Sequence, residues 1–569
     1  MPTAADRLLA LLSEPRVRRE PLSRIARAVD RLWRLASRDA ALLVRVHDRL
    51  LFLRAYLPYH ALAERIEALL REVPGIVRRL EEAGADLSVF DDPEVAGIAG
   101  TTVTTDFSFD LVRWLRARHP RRVEIDWGAC DAPDRMRATW PQFVPLLEEE
   151  ALADANVPYS DWLRAAAGSR SRDVGWLLDR YERLPLSRGE GAERWDALGV
   201  PVAWDLGGSP ASRTRMRRPG PAPFVHEGPL LSRRNVSLAE VFAAPPLKIR
   251  RLSRREGERV CDMVREATAA RYREFYTFTY ADPGSVLSVR PGRGVELFLL
   301  GVGPRRRLPL RSAYGGFVVK NGVPIGYIEG LAFFERLEIG FNMYYAFREG
   351  ESAWIYAQVL KFHRDALGVT SFSIDPYQLG FENEEAIASG AFWFYRKLGF
   401  RPTNPGVAAL VAREEARLAR EPAYRSTAQT LRRLVTHNLL YEVPGTASGN
   451  WDRFHIRNLG LAVNRVMARR FGGSARRIRE ASGRRVASAL GLQPERLAPL
   501  ERKVFQDFAL VLALVPDLVR WTREERQAMR SLLRAKAGSN ERSYLRLMQR
   551  HARLRRALLS LGSRISPAP

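Results

Sequence analysis

An Asn-Gly pair set between two apolar runs constrains the middle of this chain more than any other feature. In Phe317, Val318, Val319, Lys320, Asn321, Gly322, Val323, Pro324, Ile325, the pair stands where a two-residue hairpin loop needs both residues at positive φ. An antiparallel hairpin is therefore predicted, with its returning strand through Tyr327 and Ile328 and a third strand over 337–347. A strand over 295–302 precedes it, and 247–252 alternates apolar and basic residues ahead of a helix carrying Val260, Met263, Val264 and Ala267 on one side. After the meander, Ile355, Val359, Phe362 and Ala366 mark the buried face of a helix over 352–366, and 371–374 reads as a strand. A last helix runs from near Asn383 to Leu398, with Glu382, Glu384 and Glu385 at its positive end and Gly399 after its C-terminus. The element order is strand, helix, antiparallel strands, helix, strand, helix, strand.

The flanks read differently. Residues 1–90 read as a helical bundle, with Leu22, Ile25, Val29, Leu32 and Leu35 on one face and Arg27, Arg31 and Arg34 turned away. The stretch 91–205 is mixed and mainly helical: a helix near 110–118, a strand over 123–127, then helical segments holding Trp162 and Trp176. Residues 206–245 collect Gly207, Gly208, Pro210, Pro219, Gly220, Pro221 and Pro223 among four closely spaced arginines, and are expected to be a linker or a long surface loop. The central unit is placed at 246–405. From 406 to 569 the chain returns to helix, and Leu547, Met548, Leu554 and Leu558 share a face against an arginine background. At 569 residues several domains are expected, and no fixed-period repeat points to a solenoid.

The net charge is +26, almost all of it from arginine, because Lys occurs only at 248, 320, 361, 397, 503 and 536. Such a chain attracts anions: nucleic acid, acidic lipid head groups or phosphorylated cofactors. Two distant cysteines, Cys130 and Cys261, exclude a disulfide scaffold and a Cys-based zinc site, so a reducing, cytoplasmic setting is expected. No signal peptide is read at the N-terminus, and the longest apolar stretch, 508–516, is too short to span a bilayer. The histidines are scattered without metal spacing, so no metal is expected, and without a nucleophile elbow or a P-loop the hydrolase and NTP-binding readings are set aside.

Two runs carry a family resemblance. Ala391, Phe392, Trp393, Phe394, Tyr395, Arg396, Lys397, Leu398, Gly399, Phe400 resembles the closing signature of the GNAT acyltransferase superfamily. Leu337, Glu338, Ile339, Gly340, Phe341, Asn342 resembles its fourth strand. The resemblance covers only the central unit. It implies an α/β fold of GNAT type for the centre, a mixed sheet with flanking helices, to which the apolar periodicity adds helical domains at both ends of the chain. It also implies transfer of an acyl group from acetyl-CoA or another acyl-CoA to the amine of a small-molecule or protein acceptor.

By the same resemblance, the loop after the fourth strand cradles the CoA pyrophosphate on the amides of the following helix, a site that suits phosphate because those amides lack partners. Arg348, Gly350, Ser352 and Ala353 are then the cofactor-binding residues, with backbone near Met343 and Tyr345 polarising the thioester carbonyl. Glu351 stands where the family pattern has Gly, and Gly350 comes one residue early, so Glu349 and Glu351 are both expected beside the phosphates, where they repel them. Tyr395 matches the general acid that protonates the departing thiolate, and Glu338 is the first choice of general base ahead of Glu329 and Asp375. The competing reading is a GNAT-like protein that is inactive or depends on aminoacyl-tRNA, its Arg-rich helices, such as the cluster from Arg469 to Arg485, docking RNA or an anionic membrane.

Overall fold

The computed structural model describes residues 2–130, 143, 159–184 and 188–563. Within them the chain is mixed α/β, built on a large sheet flanked by helices. Twelve strands are described: β1 (Thr102–Thr105), β2 (Val123–Ile125), β3 (Val202–Asp205), β4 (Arg250–Arg251), β5 (Leu287–Gly292), β6 (Val295–Gly301), β7 (Ser312–Lys320), β8 (Val323–Phe333), β9 (Arg336–Met343), β10 (Ser371–Ile374), β11 (Arg401–Pro402) and β12 (Leu439–Glu442). The first three form a small antiparallel sheet in the order β1-β3-β2. The other nine form the main sheet in the order β11-β12-β10-β9-β8-β7-β6-β5-β4, in which only β9 and β10 run parallel.

The Asn-Gly turn behaves as predicted: Asn321 and Gly322 take φ of 48° and 82° between β7 and β8. A second tight turn, Arg293 and Gly294 at φ 53° and 72°, joins β5 to β6, and its first strand was not anticipated. The predicted third strand stops at Met343, where Tyr345–Phe347 winds into a 3₁₀ turn. Every residue of β6 and β7 is buried, because both faces of the sheet are covered. The helix expected from 383 to 398 is broken into Glu384–Ser389 and Ala391–Arg396 by Gly390, which adopts the left-handed conformation.

Three hydrophobic cores organise the molecule. The largest joins the N-terminal helices to the main sheet and to the helix Ser352–Leu367, so residues 1–90 share a core with the centre. A second lies around the small sheet, and a third within the C-terminal helices, reaching the main sheet at Phe333, Phe334 and Leu440. Two expectations change here. β12 lies beyond position 405, so the sheet draws on residues placed in the C-terminal domain. The 206–245 stretch is no simple surface loop: Ser212, Arg213, Thr214 and Met216 are buried, because Arg54 and His47 reach them with hydrogen bonds. Parts of the mixed 91–205 region, 131–142, 144–158 and 185–187, lie outside the described residues. Among the described residues no helix is long and apolar enough to cross a membrane.

Candidate active site

β9 and β10 pair over three residues only, Ser371 with Arg336, Phe372 with Leu337 and Ser373 with Glu338. β10 then ends for a local reason. Pro376 has no amide to give a neighbour, and the Asp375 carboxylate accepts a bond from the Tyr377 amide at 3.0 Å, which starts the helical turn Pro376–Leu379. β9 continues alone on that side while β8 holds its other edge in unbroken register as far as Met343. There is no bulge. The Tyr344 amide donates to the Ile325 carbonyl at 3.0 Å, and since successive amides of a strand point to opposite edges, those of Phe341 and Met343 point into the gap left by β10.

That gap is a cleft of about 280 Å³, lined by Phe341, Met343, Arg348, Ser352, Gln378 and Tyr395 among others. Gly340 lets Gln378 lie across the strand: a Cβ there would come 3.3 Å from the Gln378 amide group. The helix Ser352–Leu367 begins at the cleft with no side-chain cap from its N-cap residue, Glu351. Its first amides, those of Ser352, Ala353 and Trp354, have no partner within the helix and lie at its positive end. Tyr395 is buried against Tyr356, Phe394 and Phe400, with ring centroids 5.5, 5.2 and 5.9 Å away. Burial pushes its phenol above the usual range, so it keeps its proton at neutral pH.

The loop between β9 and this helix removes the expected electrostatic conflict. Glu351 is turned inward and fully buried, accepting bonds from Arg293 Nε at 2.9 Å, Lys320 Nζ at 3.2 Å and the Leu231 amide at 3.1 Å. Burial opposes its charge, but the Arg293 bond and the Lys320 charge prevail and hold its carboxyl below the ordinary value. Its amide donates to the Tyr56 hydroxyl at 3.3 Å. Glu349 faces away from the cleft, paired with Arg49 at 2.7 Å on the wall of a separate cavity of about 660 Å³ beside the N-terminal helices. Neither carboxylate lines the cleft.

Of the residues singled out in the sequence, Met343, Arg348, Ser352 and Tyr395 come together here. Arg348 is held at the rim by Glu385. The others go elsewhere. Gly350 packs on Tyr56, where a Cβ would come 2.3 Å from the ring, so its role is close approach to the N-terminal helices. Ala353 is buried and outside the lining, although its amide belongs to the first turn. Tyr345 is 61% exposed and lines the Glu349 cavity. Glu338 sits on a third cavity of about 230 Å³ with Asp375 and His455, its carboxylate 3.5 Å from Arg311 and 3.6 Å from Arg336. It stands where β9 still pairs with Ser373 of β10, before the gap opens. Gln378 and Asn383 were not foreseen; an isolated glycine inside a strand pattern, Gly340, is the signal for the first. The chain matches no protein-family model, and comparison with curated proteins and with solved structures likewise finds no match.

Proposed function

We propose that this cleft binds an acyl-CoA and that the protein is an N-acyltransferase of GNAT type. The observation that carries the reading is the divergence of the one parallel strand pair, which leaves the Phe341 and Met343 amides free beside an uncapped helix N-terminus. The helix amides and Arg348 suit the pyrophosphate, and the strand amides suit the thioester carbonyl. The amine nitrogen attacks that carbonyl, the new C–N bond forms as the C–S bond breaks, and the leaving thiolate takes the Tyr395 proton. An acceptor approaching from the Glu338 and Asp375 side finds carboxylates to receive the ammonium proton.

Calorimetric titration with acetyl-CoA and longer acyl-CoAs, at two salt concentrations, tests the reading. Ser352→Glu is the informative variant, because a carboxylate suits a helix N-terminus yet repels a pyrophosphate. Saturable binding that survives higher salt and weakens at least roughly tenfold in the variant is expected. Tyr395→Phe should bind normally and release CoA thiol roughly 10²-fold more slowly. Absence of saturable binding by the unaltered protein overturns the proposal.

A further inference from the structure

Two consecutive helices of the C-terminal region, Arg457–Phe471 and Ala475–Leu490, hold nine arginines and a single carboxylate, Glu480, a local excess of eight positive charges in a chain whose net charge is +26. They meet at a Gly472-Gly473 turn, both glycines at positive φ. Arg469, Arg470, Arg476, Arg477, Arg484 and Arg485 are all exposed, and among the described residues none of these six has an ion-pair partner. Arg479 reaches Asp507 at 3.8 Å. The charge is also placed against the helix. The first turn of Ala475–Leu490 contains no acidic residue, and Arg476, Arg477 and Arg479 crowd its positive end, where cations are unfavourable.

We infer that this helical hairpin docks the phosphate backbone of a nucleic-acid duplex, without reading its sequence. Arg476 to Arg485 span about 13 Å of helix at roughly 1.5 Å per residue, a length over which a duplex presents several phosphates. Guanidinium groups meet phosphate oxygens two at a time. A membrane surface fits less well. The large apolar side chains exposed in the C-terminal region are Leu461 and Val519 among the described residues, which is no stripe to insert among lipids. A single strand fits less well too, since unpaired bases stack on aromatic rings and the two helices offer only the half-buried Phe471.

Fluorescence anisotropy of labelled RNA and DNA duplexes, titrated with the full chain, is the test. Binding is expected to fall roughly 10³-fold between about 50 and 200 mM salt, for six neutralised phosphates at a slope of about −0.9 each. Replacing these six arginines by Gln, a comparable helix former, should flatten the slope by about 5 while circular dichroism stays unchanged and Tm does not fall. Arg469→Gln with Arg470→Gln should flatten it by about 2, which keeps the test alive should the sixfold variant misfold. The inference is overturned if no duplex binds at low salt, or if the folded variants bind as the unaltered chain does. It is equally overturned if the variants lose sedimentation with phosphatidylserine vesicles while their duplex binding is untouched.

Discussion

Arginine serves two opposite ends in this molecule. In the interior it is a cross-brace. Arg54 donates to the Thr214 and Met216 carbonyls at 2.7 and 3.0 Å, and Arg213 to those of Glu94 and Val95 at 2.7 and 2.8 Å. Arg271 lies 4.1 Å from the centre of the Tyr344 ring. In the hairpin of helices ending at Leu490, Arg469, Arg470, Arg476, Arg477, Arg484 and Arg485 have no carboxylate partner among the described residues. The difference teaches that a guanidinium is tolerated inside where irregular backbone leaves carbonyls in need of donors, because its planar fork can satisfy two at once. Where no such carbonyls exist, the charge stays outside and acts at a distance.

Removing an interior charge should therefore cost far more than removing a surface one. Glu351→Ala leaves Lys320 and Arg293 without their buried partner, and a loss of about 3–5 kcal/mol in denaturant unfolding is expected. A loss below about 1 kcal/mol would mean that water enters the cluster and takes the place of the missing carboxylate.

His363 sharpens the same contrast by refusing a charge. Its Nδ1 faces the Val359 carbonyl at 2.8 Å, its Nε2 has no partner among the described residues, and burial pushes its pKa down to about 4. As pH falls from the unfolded value of 6.5, the unfolded chain takes up a proton that the fold excludes, so stability drops between pH 6.5 and about 4. The shift corresponds to about 3 kcal/mol. Tm measured across this range should fall less steeply in His363→Gln; an identical profile would assign the acid sensitivity to other groups.

Gly350→Ala forces a methyl into the Tyr56 ring and should cost about 1–3 kcal/mol by thermal unfolding. The smallest effect has the opposite sign. Arg476→Gln and Arg477→Gln, at the positive end of their helix, should each raise stability by about 0.3–1 kcal/mol. A destabilisation there would show that these arginines brace the fold as their interior counterparts do.

Much of the central sheet was legible because its signals are local: two turn residues at positive φ, a two-residue alternation, a helix face at 3.6-residue spacing. The cleft was legible only in part. Met343, Arg348, Ser352 and Tyr395 follow from the resemblance and from strand and helix order. Glu351 did not, since its inward turn depends on Lys320 and Arg293, 31 and 58 residues earlier, and nothing in the loop itself announces them. Glu338 lies outside this cleft because β10 still pairs with β9 at that position, and where the pairing stops is settled by Asp375 and Pro376 on another element. The buried course of 209–216 was hidden for a similar reason: glycines, prolines and arginines suggest a loop until Arg54 and His47 are placed beside it.

The Asn321 turn has one more consequence, for the order in which the chain can be completed. The side chain of Asn321 donates to the Ala55 carbonyl at 2.9 Å, across 266 positions, and accepts from the Phe224 amide at 2.8 Å. During synthesis the N-terminal helices emerge long before the residue that closes off their end. Until the hairpin arrives, that carbonyl has only solvent, and much of the apolar face that the sheet later covers is open. A contact of such long range carries a large closure entropy and forms late. The first helices are thus built to wait, and the hairpin tip is the piece that ends the waiting.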